Sequence, residues 1–257
     1  MKRFILDSGP DKNGFIRLKE KNFHYLARVR RLSVGESFPA LTPEGIKVIV
    51  KICSTDNNVL KGLCSEEIET EEKPSYPLLI LLQALPKGDK MDTIVRQAAE
   101  GGITEIVPFK SQNSVSKIKL QEKFSRWQRI IKEARQQSGS SVATTIRAPM
   151  TIEELFDYWE KLKNEYPKTL GLFFHQLPLE KKSLHSYLDI RPHLAALVIG
   201  PEGGFSDIEA VKFLEAGFKP ITMGDFVLRT ETAALYAAAA VKIILLENES
   251  WQLKKNL

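Results

Sequence analysis

Residues 194–199, "LAALVI", carry no polar side chain and run straight into "GPEGG" and the helix-like "FSDIEAVKFLEAG". A strand that is apolar on both faces has to be covered on both, which confines it to the interior of a layered sheet. "LLILLQAL" at 78–85 and "LGLFF" at 170–174 have the same character, and "ITEIVPF" and "FKPITMG" supply shorter strand-like runs. Amphipathic segments lie between them: "PKGDKMDTIVRQAAEGG", "FSRWQRIIKEARQQSG", a stretch near 150–164 and "DIEAVKFLEAG". Asp89 offers a cap for the first, with Asp92 in its opening turn and Gly101-Gly102 as its stop. Ser206 and Glu209 form a capping-box pair for the last, which ends at Gly217. A helix over about 231–246 closes the series. Apolar strands alternating with such helices predict a largely parallel, three-layer α/β domain.

The first seventy residues have another rhythm. "RFIL", "FIRL", "IKVIVKICS" and "NVLKGLC" are short and separated by Gly9-Pro10, Asn13-Gly14, Pro43-Glu44-Gly45 and Asn57-Asn58. That cadence predicts a small antiparallel β-barrel. One interruption, 20–36, reads as a helix with Phe23, Leu26, Ala27 and Arg30 on one side. The glutamate run from Glu66 to Glu72 and Pro74-Ser75-Tyr76-Pro77 then read as a linker, giving domains at 1–72 and 73–257.

Charge narrows the partners. Nine Lys/Arg against three Asp/Glu fall in residues 2–35, and twelve against six in 73–140. Two separate basic concentrations raise the standing of a nucleic-acid partner, although a modest positive charge is also found in proteins that bind no nucleic acid. No apolar stretch approaches the roughly 20 residues of a membrane span, and Met1-Lys2-Arg3 leads into "FILDSG" too early for a signal peptide. Cys53 and Cys64 suggest reduced fillers in a cytoplasmic protein. The four histidines, His24, His175, His185 and His193, show no metal-ligand spacing, so no metal is expected.

The turn "GPEGG" at 200–204 invites comparison with phosphate cradles. It lacks the Lys-Ser/Thr ending of a P-loop, and Gly200, Gly203 and Gly204 do not match the dinucleotide spacing. A plain strand-to-helix turn with an exposed glutamate fits equally well on local grounds. "MGDFVLRTETAAL" at 223–235 follows another strand and places Gly224, Arg229, Thr230 and Glu231 where loops of parallel sheets gather. Thr230 reads as a helix cap with Glu231 in the first turn. The alanines behind it make a slim helix suited to close packing within the chain or against another subunit. Carboxylates and free backbone donors without a phosphate loop are compatible with S-adenosylmethionine (SAM).

"HYLARVRRLSVGE", "GDKMDTIVRQAAEGGITEIVPF", "RWQRIIKEARQQSG", "LVIGPEGGFSDIE" and "ITMGDFVLRTETAAL" together resemble the bacterial 16S ribosomal RNA (uracil-N3)-methyltransferases of the knotted SPOUT superfamily. The resemblance runs in order from about residue 24 to 241. It implies a PUA-like N-terminal barrel that holds RNA, a SPOUT α/β trefoil-knot domain, a homodimer, SAM as methyl donor, and 16S rRNA in the small ribosomal subunit as substrate. It implies cofactor contacts from Leu197, Ile199, Gly200, Pro201, Glu202, Gly203 and Gly204. From the second stretch it implies Met223, Gly224, Phe226, Val227, Leu228, Thr232 and Ala233. Arg229, Glu231 and Glu202 become the candidate catalytic groups. Arg3, His24, Arg28, Arg31, Arg96 and Arg126 become candidate RNA contacts. The chain departs from the family's usual residues at Gln97, Asn113, Gln136 and Ser140.

Methylation at N3 of uracil needs an unpaired base, because N3–H is the Watson–Crick donor. Arg229 is expected to stabilise charge on a uracil carbonyl or to pin a phosphate, or else to pair with Glu231 or Glu202. Glu202 is expected to orient the cofactor rather than to accept the N3 proton, with a turn-stabilising role as the plain alternative. His24, Arg28 and Arg31 are spaced to share a helical face. Trp127, among charged neighbours, reads as a packing anchor and Arg126 as a phosphate contact. Two rival functions remain: a SPOUT methyltransferase with another RNA target, or a non-catalytic RNA-binding ribosome-assembly protein.

Overall fold

The computed structural model describes residues 3–66, 77–114, 120–175 and 182–247. The expected linker lies outside these residues except for Glu66 and Pro77. The chain divides into two compact units, 1–72 with 132–143 and 73–131 with 144–257.

In the first unit β1 (Phe4–Ile5), β2 (Phe15–Leu18), β3 (Ser37–Leu41), β4 (Lys47–Asp56) and β5 (Val59–Glu66) form one sheet in the order β1-β3-β4-β5-β2. Every pairing is antiparallel except that of β1 with β3, so the sheet is mixed where a purely antiparallel one was expected. Alternation drives it. Val48, Val50 and Ile52 are buried at every second position of β4 while Lys51 faces out. Asn57 and Asn58 both take positive φ, +49° and +59°, the left-handed pair that the tight β4–β5 hairpin demands. The core joins Phe4, Ile16, Phe23, Leu26, Phe38 and Leu60 to the β4 residues.

The segment read as a helix over 20–36 is shorter. It forms α1 (Glu20–Phe23) and continues as a π-helical stretch, His24–Val29, in which Arg30 N–H reaches back five residues to Tyr25 O at 2.8 Å. Arg31 stands beyond its end at φ +55°, so it does not continue the helical face of His24 and Arg28. Residues 132–143 belong to this unit too, and Gln136 shows how they attach. Its Oε1 accepts from Ile5 N–H at 2.6 Å and its Nε2 donates to Arg3 O at 2.9 Å, which completes the free edge of β1 as a neighbouring strand would. The contact uses both ends of the amide, an acceptor toward Ile5 and a donor toward Arg3, which an ionised carboxylate could not supply.

In the second unit β6 (Leu78–Ala84), β7 (Glu105–Phe109), β8 (Thr145–Ile146), β9 (Thr169–Phe174), β10 (Leu194–Ile199) and β11 (Lys219–Ile221) form a six-stranded sheet in the order β11-β9-β10-β6-β7-β8. All of its pairings are parallel. The intervening helices are α2 (Lys90–Glu100), α3 (Leu120–Ser138, of which residues from 132 onward belong to the first unit), α4 (Ile152–Glu165), α5 (Leu184–Leu188), α6 (Asp207–Glu215) and α7 (Thr230–Glu247). The period of two sorts β6 between layers. Ile80, Leu82 and Ala84 join a core with Leu155 and Trp159 of α4 and Phe213 of α6, whereas Leu81 meets Ala234 and Ala238 of α7 on the other face. The expected three-layer arrangement is therefore present. Short β8 and α5 were not foreseen, because neither has enough residues to show a period.

Capping follows the sequence unevenly. The Ser206–Glu209 capping box forms in full, with Ser206 Oγ accepting from Glu209 N–H and the Glu209 carboxylate from Ser206 N–H. Asp89 does not cap α2 with its side chain; its carboxylate instead accepts from Lys123 Nζ at 3.3 Å. Trp127 is fully buried and donates from Nε1 to Asp92 Oδ1 at 3.1 Å, as a packing anchor should. Among the described residues no helix is long and apolar enough to cross a membrane, and no His/Cys/Asp/Glu group could hold a metal ion.

Candidate active site

Because the strands of the second unit all run one way, the loops leaving β6, β9, β10 and β11 gather at one edge of the sheet, where open α/β folds bind their ligands. A cleft of about 760 Å³, partly open to solvent, lies among these loops. Two glycines set the chain path around it: Gly204 at φ +65° reverses the chain before α6, and Gly224 at φ +114° does so after β11. From the first predicted stretch, Ile199, Gly200, Pro201, Gly203 and Gly204 line the cleft. Leu197 does not; it is fully buried within β10, paired with Leu81 and Leu172. From the second stretch, Met223, Gly224, Phe226, Val227, Leu228 and Ala233 line it, and Thr232 does not. The sequence reading missed Phe174, His175, Phe205 and Thr222 as lining groups, and Thr230, read as a helix cap, lines the cleft as well. The end of an apolar strand beside β10 was the available signal for the first two.

Among the described residues that line the cleft, none is Lys, Arg, Asp or Glu. Glu202, the carboxylate in the glycine turn, is turned elsewhere. Its two oxygens accept from Lys87 N–H at 3.1 and 3.2 Å, and Oε1 also accepts from Lys90 Nζ at 2.7 Å. Partial burial works to raise its pKa, but the hydrogen bonds from Lys90 and the Lys87 amide outweigh it and hold the carboxyl below its ordinary value. Glu202 therefore stays ionised at neutral pH. Its contribution is fully present above the ordinary glutamate pKa and fades as pH falls below that through the folded value.

Thr230 lines the cleft and is bonded to the buried Gln83. Thr230 Oγ1 donates to Gly200 O at 2.6 Å and accepts from Gln83 Nε2 at 3.0 Å, so the expected cap hydroxyl serves as a cross-link between α7, β6 and the glycine turn. Gln83 is completely buried, and its Oε1 has no hydrogen-bond partner among the described residues. Next to Thr230, Arg229 is exposed, and among the described residues its guanidinium makes no ion pair or hydrogen bond. The pairing with Glu231 or Glu202 entertained from the sequence is absent. Glu231 is half-buried in the first turn of α7, its Oε2 enclosed and without a hydrogen-bond partner among the described residues.

The model of the RNA methyltransferase domain family matches residues 72–242. The chain belongs to this family. Ribosomal RNA small subunit methyltransferase E 2 of Borreliella burgdorferi is 30% identical over 249 residues, covering 95% of this chain and 98% of that protein. Among solved structures, ribosomal RNA small subunit methyltransferase E from Neisseria gonorrhoeae, bound to SAM, superposes with a TM-score of 0.76 at 24% identity, covering 95% and 98% of the two chains. A Legionella pneumophila protein solved with SAM bound gives a TM-score of 0.74 at 26% identity, covering 94% and 97%.

In this methyltransferase the candidate RNA residues are spread over both units. His24, Arg28 and Arg31 are exposed on the first, and Arg3 is half-buried there. Arg96 is exposed on α2, whereas Arg126 is committed to Asp92 through an ion pair of 2.6 Å. Asn113, another departure, donates from Nδ2 to Gly203 O and Gly204 O at 3.2 and 3.1 Å. Ser140 donates its N–H to Ser138 Oγ at 3.2 Å. Gln97 borders an apolar groove of about 680 Å³ between α2 and α7, lined by Ile94, Leu235 and Ile243 among others. There its Oε1 is enclosed and lacks a hydrogen-bond partner among the described residues, while Lys242 Nζ donates to Gly101 O at 2.7 Å.

Proposed function

We propose that the chain transfers a methyl group from SAM to N3 of a uridine in 16S ribosomal RNA of the small ribosomal subunit. Family membership together with relatives named as small-subunit ribosomal RNA methyltransferases carries this reading. The cleft suits the donor. Its walls are largely backbone and apolar side chains with Thr222, Thr230 and His175 among them, and no Lys or Arg among the described lining residues is placed to hold a phosphate. Phe226, Val227 and Leu228 would pack against the adenine, while the glycine turn and the Thr230 cross-link would shape the opposite wall. SAM supplies an electrophilic methyl group on a sulfonium centre.

The remaining work is positioning an unpaired base and stabilising the charge that develops on it as N3 loses its proton. Arg229 is the group placed for that: a guanidinium with no ion pair or hydrogen bond among the described residues, one residue from the Thr230 cross-link and able to meet a uracil carbonyl or a neighbouring phosphate. On the same reading the first unit is a PUA-like barrel that holds RNA through His24, Arg28 and Arg31, and the second carries the SPOUT trefoil knot. The molecule works as a homodimer. The apolar groove beside α7, where Gln97 Oε1 has no hydrogen-bond partner among the described residues, supports a subunit contact there.

Isothermal calorimetry tests the donor assignment. The purified chain is expected to bind SAM at one site per protomer and to ignore ATP at the same concentration. Heat from ATP but none from SAM would remove the reading.

A further inference from the structure

The glycine turn is held by the loops that leave β6 and β7. β6 lies next to β10 in register, with Gln83 opposite Ile199, so residues 85–90 run beside 200–204. There the Glu202 carboxylate spans the gap, taking the Lys87 N–H with both oxygens and the Lys90 ammonium with one. From the loop after β7, Asn113 Nδ2 donates to the carbonyls of Gly203 and Gly204, and Gln112 N–H donates to Glu209 Oε1 at 2.8 Å, which ties that loop to the start of α6. Within the turn, a single backbone bond holds the loop shut, from Gly204 N–H to Pro201 O at 3.0 Å. A glycine-rich turn has few side-chain contacts and a large conformational entropy to lose, so its shape depends on such external ties.

Three features make the Glu202 tie the stronger one. It is charge-assisted, at 2.7 Å, and charge-assisted hydrogen bonds are about twice as strong as neutral ones. Both of its oxygens also share the Lys87 N–H in a three-centre bond, which fixes direction as well as distance. Its side chains are only partly exposed, 36% for Lys90 and 24% for Glu202, so water screens it incompletely.

We propose that Lys90 is a positioning residue for the cleft: with the Lys87 amide it clasps Glu202 and fixes the turn that forms one wall. Glu202 acts through this clasp, not as the acceptor of the N3 proton. The carboxylate that the sequence places in a would-be phosphate loop serves the neighbouring loop rather than the ligand. The proposal rests on the methyltransferase reading only for the identity of the ligand.

A double-mutant cycle with two readouts tests it. Lys90→Met, Glu202→Gln, the double variant and Lys90→Arg are compared with the wild type by hydrogen exchange of residues 200–204 and by SAM calorimetry. Each single change is expected to speed exchange in the turn and to weaken SAM binding by about 5- to 10-fold. The double variant should be no worse than the poorer single, and Lys90→Arg should lie nearer the wild type. With SAM saturating, kcat should stay within about twofold of the wild type in all of them, because the clasp sets the shape of the site and not the chemistry. Additive losses, unchanged exchange in Lys90→Met, or a collapse of kcat confined to Glu202→Gln would overturn the proposal. Exchange judges the clasp without ligand, so its failure and the failure of the methyltransferase reading are told apart.

Discussion

Arg229→Ala is expected to lower kcat by about 10²- to 10³-fold while SAM affinity stays near the wild-type value. The guanidinium is exposed, makes no ion pair among the described residues and does not line the cleft, so removing it costs neither packing nor a donor contact. Its neighbour Thr230 anchors the chain at this point through Gly200 O and Gln83 Nε2, which keeps position 229 in place after truncation. What is lost is a positive charge held ready for negative charge that appears only as N3 of the base reacts. Single-turnover methylation with SAM saturating separates the two quantities. A variant with normal turnover would strip Arg229 of its role, and one whose SAM affinity fell in step with kcat would make it a binding residue.

The second large effect concerns the fold that carries the cleft. Phe213 of α6 is fully buried, and its ring centroid lies 5.1–6.2 Å from those of Phe109, Phe156, Phe173, Phe205 and Phe218. Phe213→Ala is expected to cost about 3–5 kcal/mol, because a cavity opens among rings that cannot all collapse into it. Phe205 lines the cleft, and its ring sits 3.1 Å from where a Cβ on Gly200 would be, so loosening the cluster reaches the glycine turn as well. Urea unfolding followed by far-UV circular dichroism measures the loss. A cost below about 1 kcal/mol would mean that the cluster does not hold the layer together.

Much of the second unit could be read from the sequence because its strands are apolar on both faces and its helices carry their own stops. "LAALVI" and "LLILLQA" have no alternative to the sheet interior, and Ser206 and Glu209 announce the start of α6. Local patterning fails where a contact is set by distant residues. The partners of Glu202 are 112 and 115 positions away in Lys90 and Lys87, and the edge that Gln136 completes is 131 positions away at Ile5. Hence the glutamate in the turn reads as a ligand group until the fold brings β6 beside β10. The π-helical stretch at His24–Val29 was equally hidden, since the spacing of Phe23, Leu26 and Ala27 suits a regular helix. Asp89 and Thr230 are cap residues by type, yet tertiary partners claim both side chains. Leu197 belongs to the strand rather than to the loop that follows it.

The most direct test uses methyl-labelled SAM and small ribosomal subunits from a strain without the modification, followed by digestion of the 16S RNA and nucleoside analysis. Label should appear in N3-methyluridine with the wild-type chain and be nearly absent with Arg229→Ala. Label in a different nucleoside, or none in RNA from a chain that binds SAM, would contradict N3 methylation of uridine.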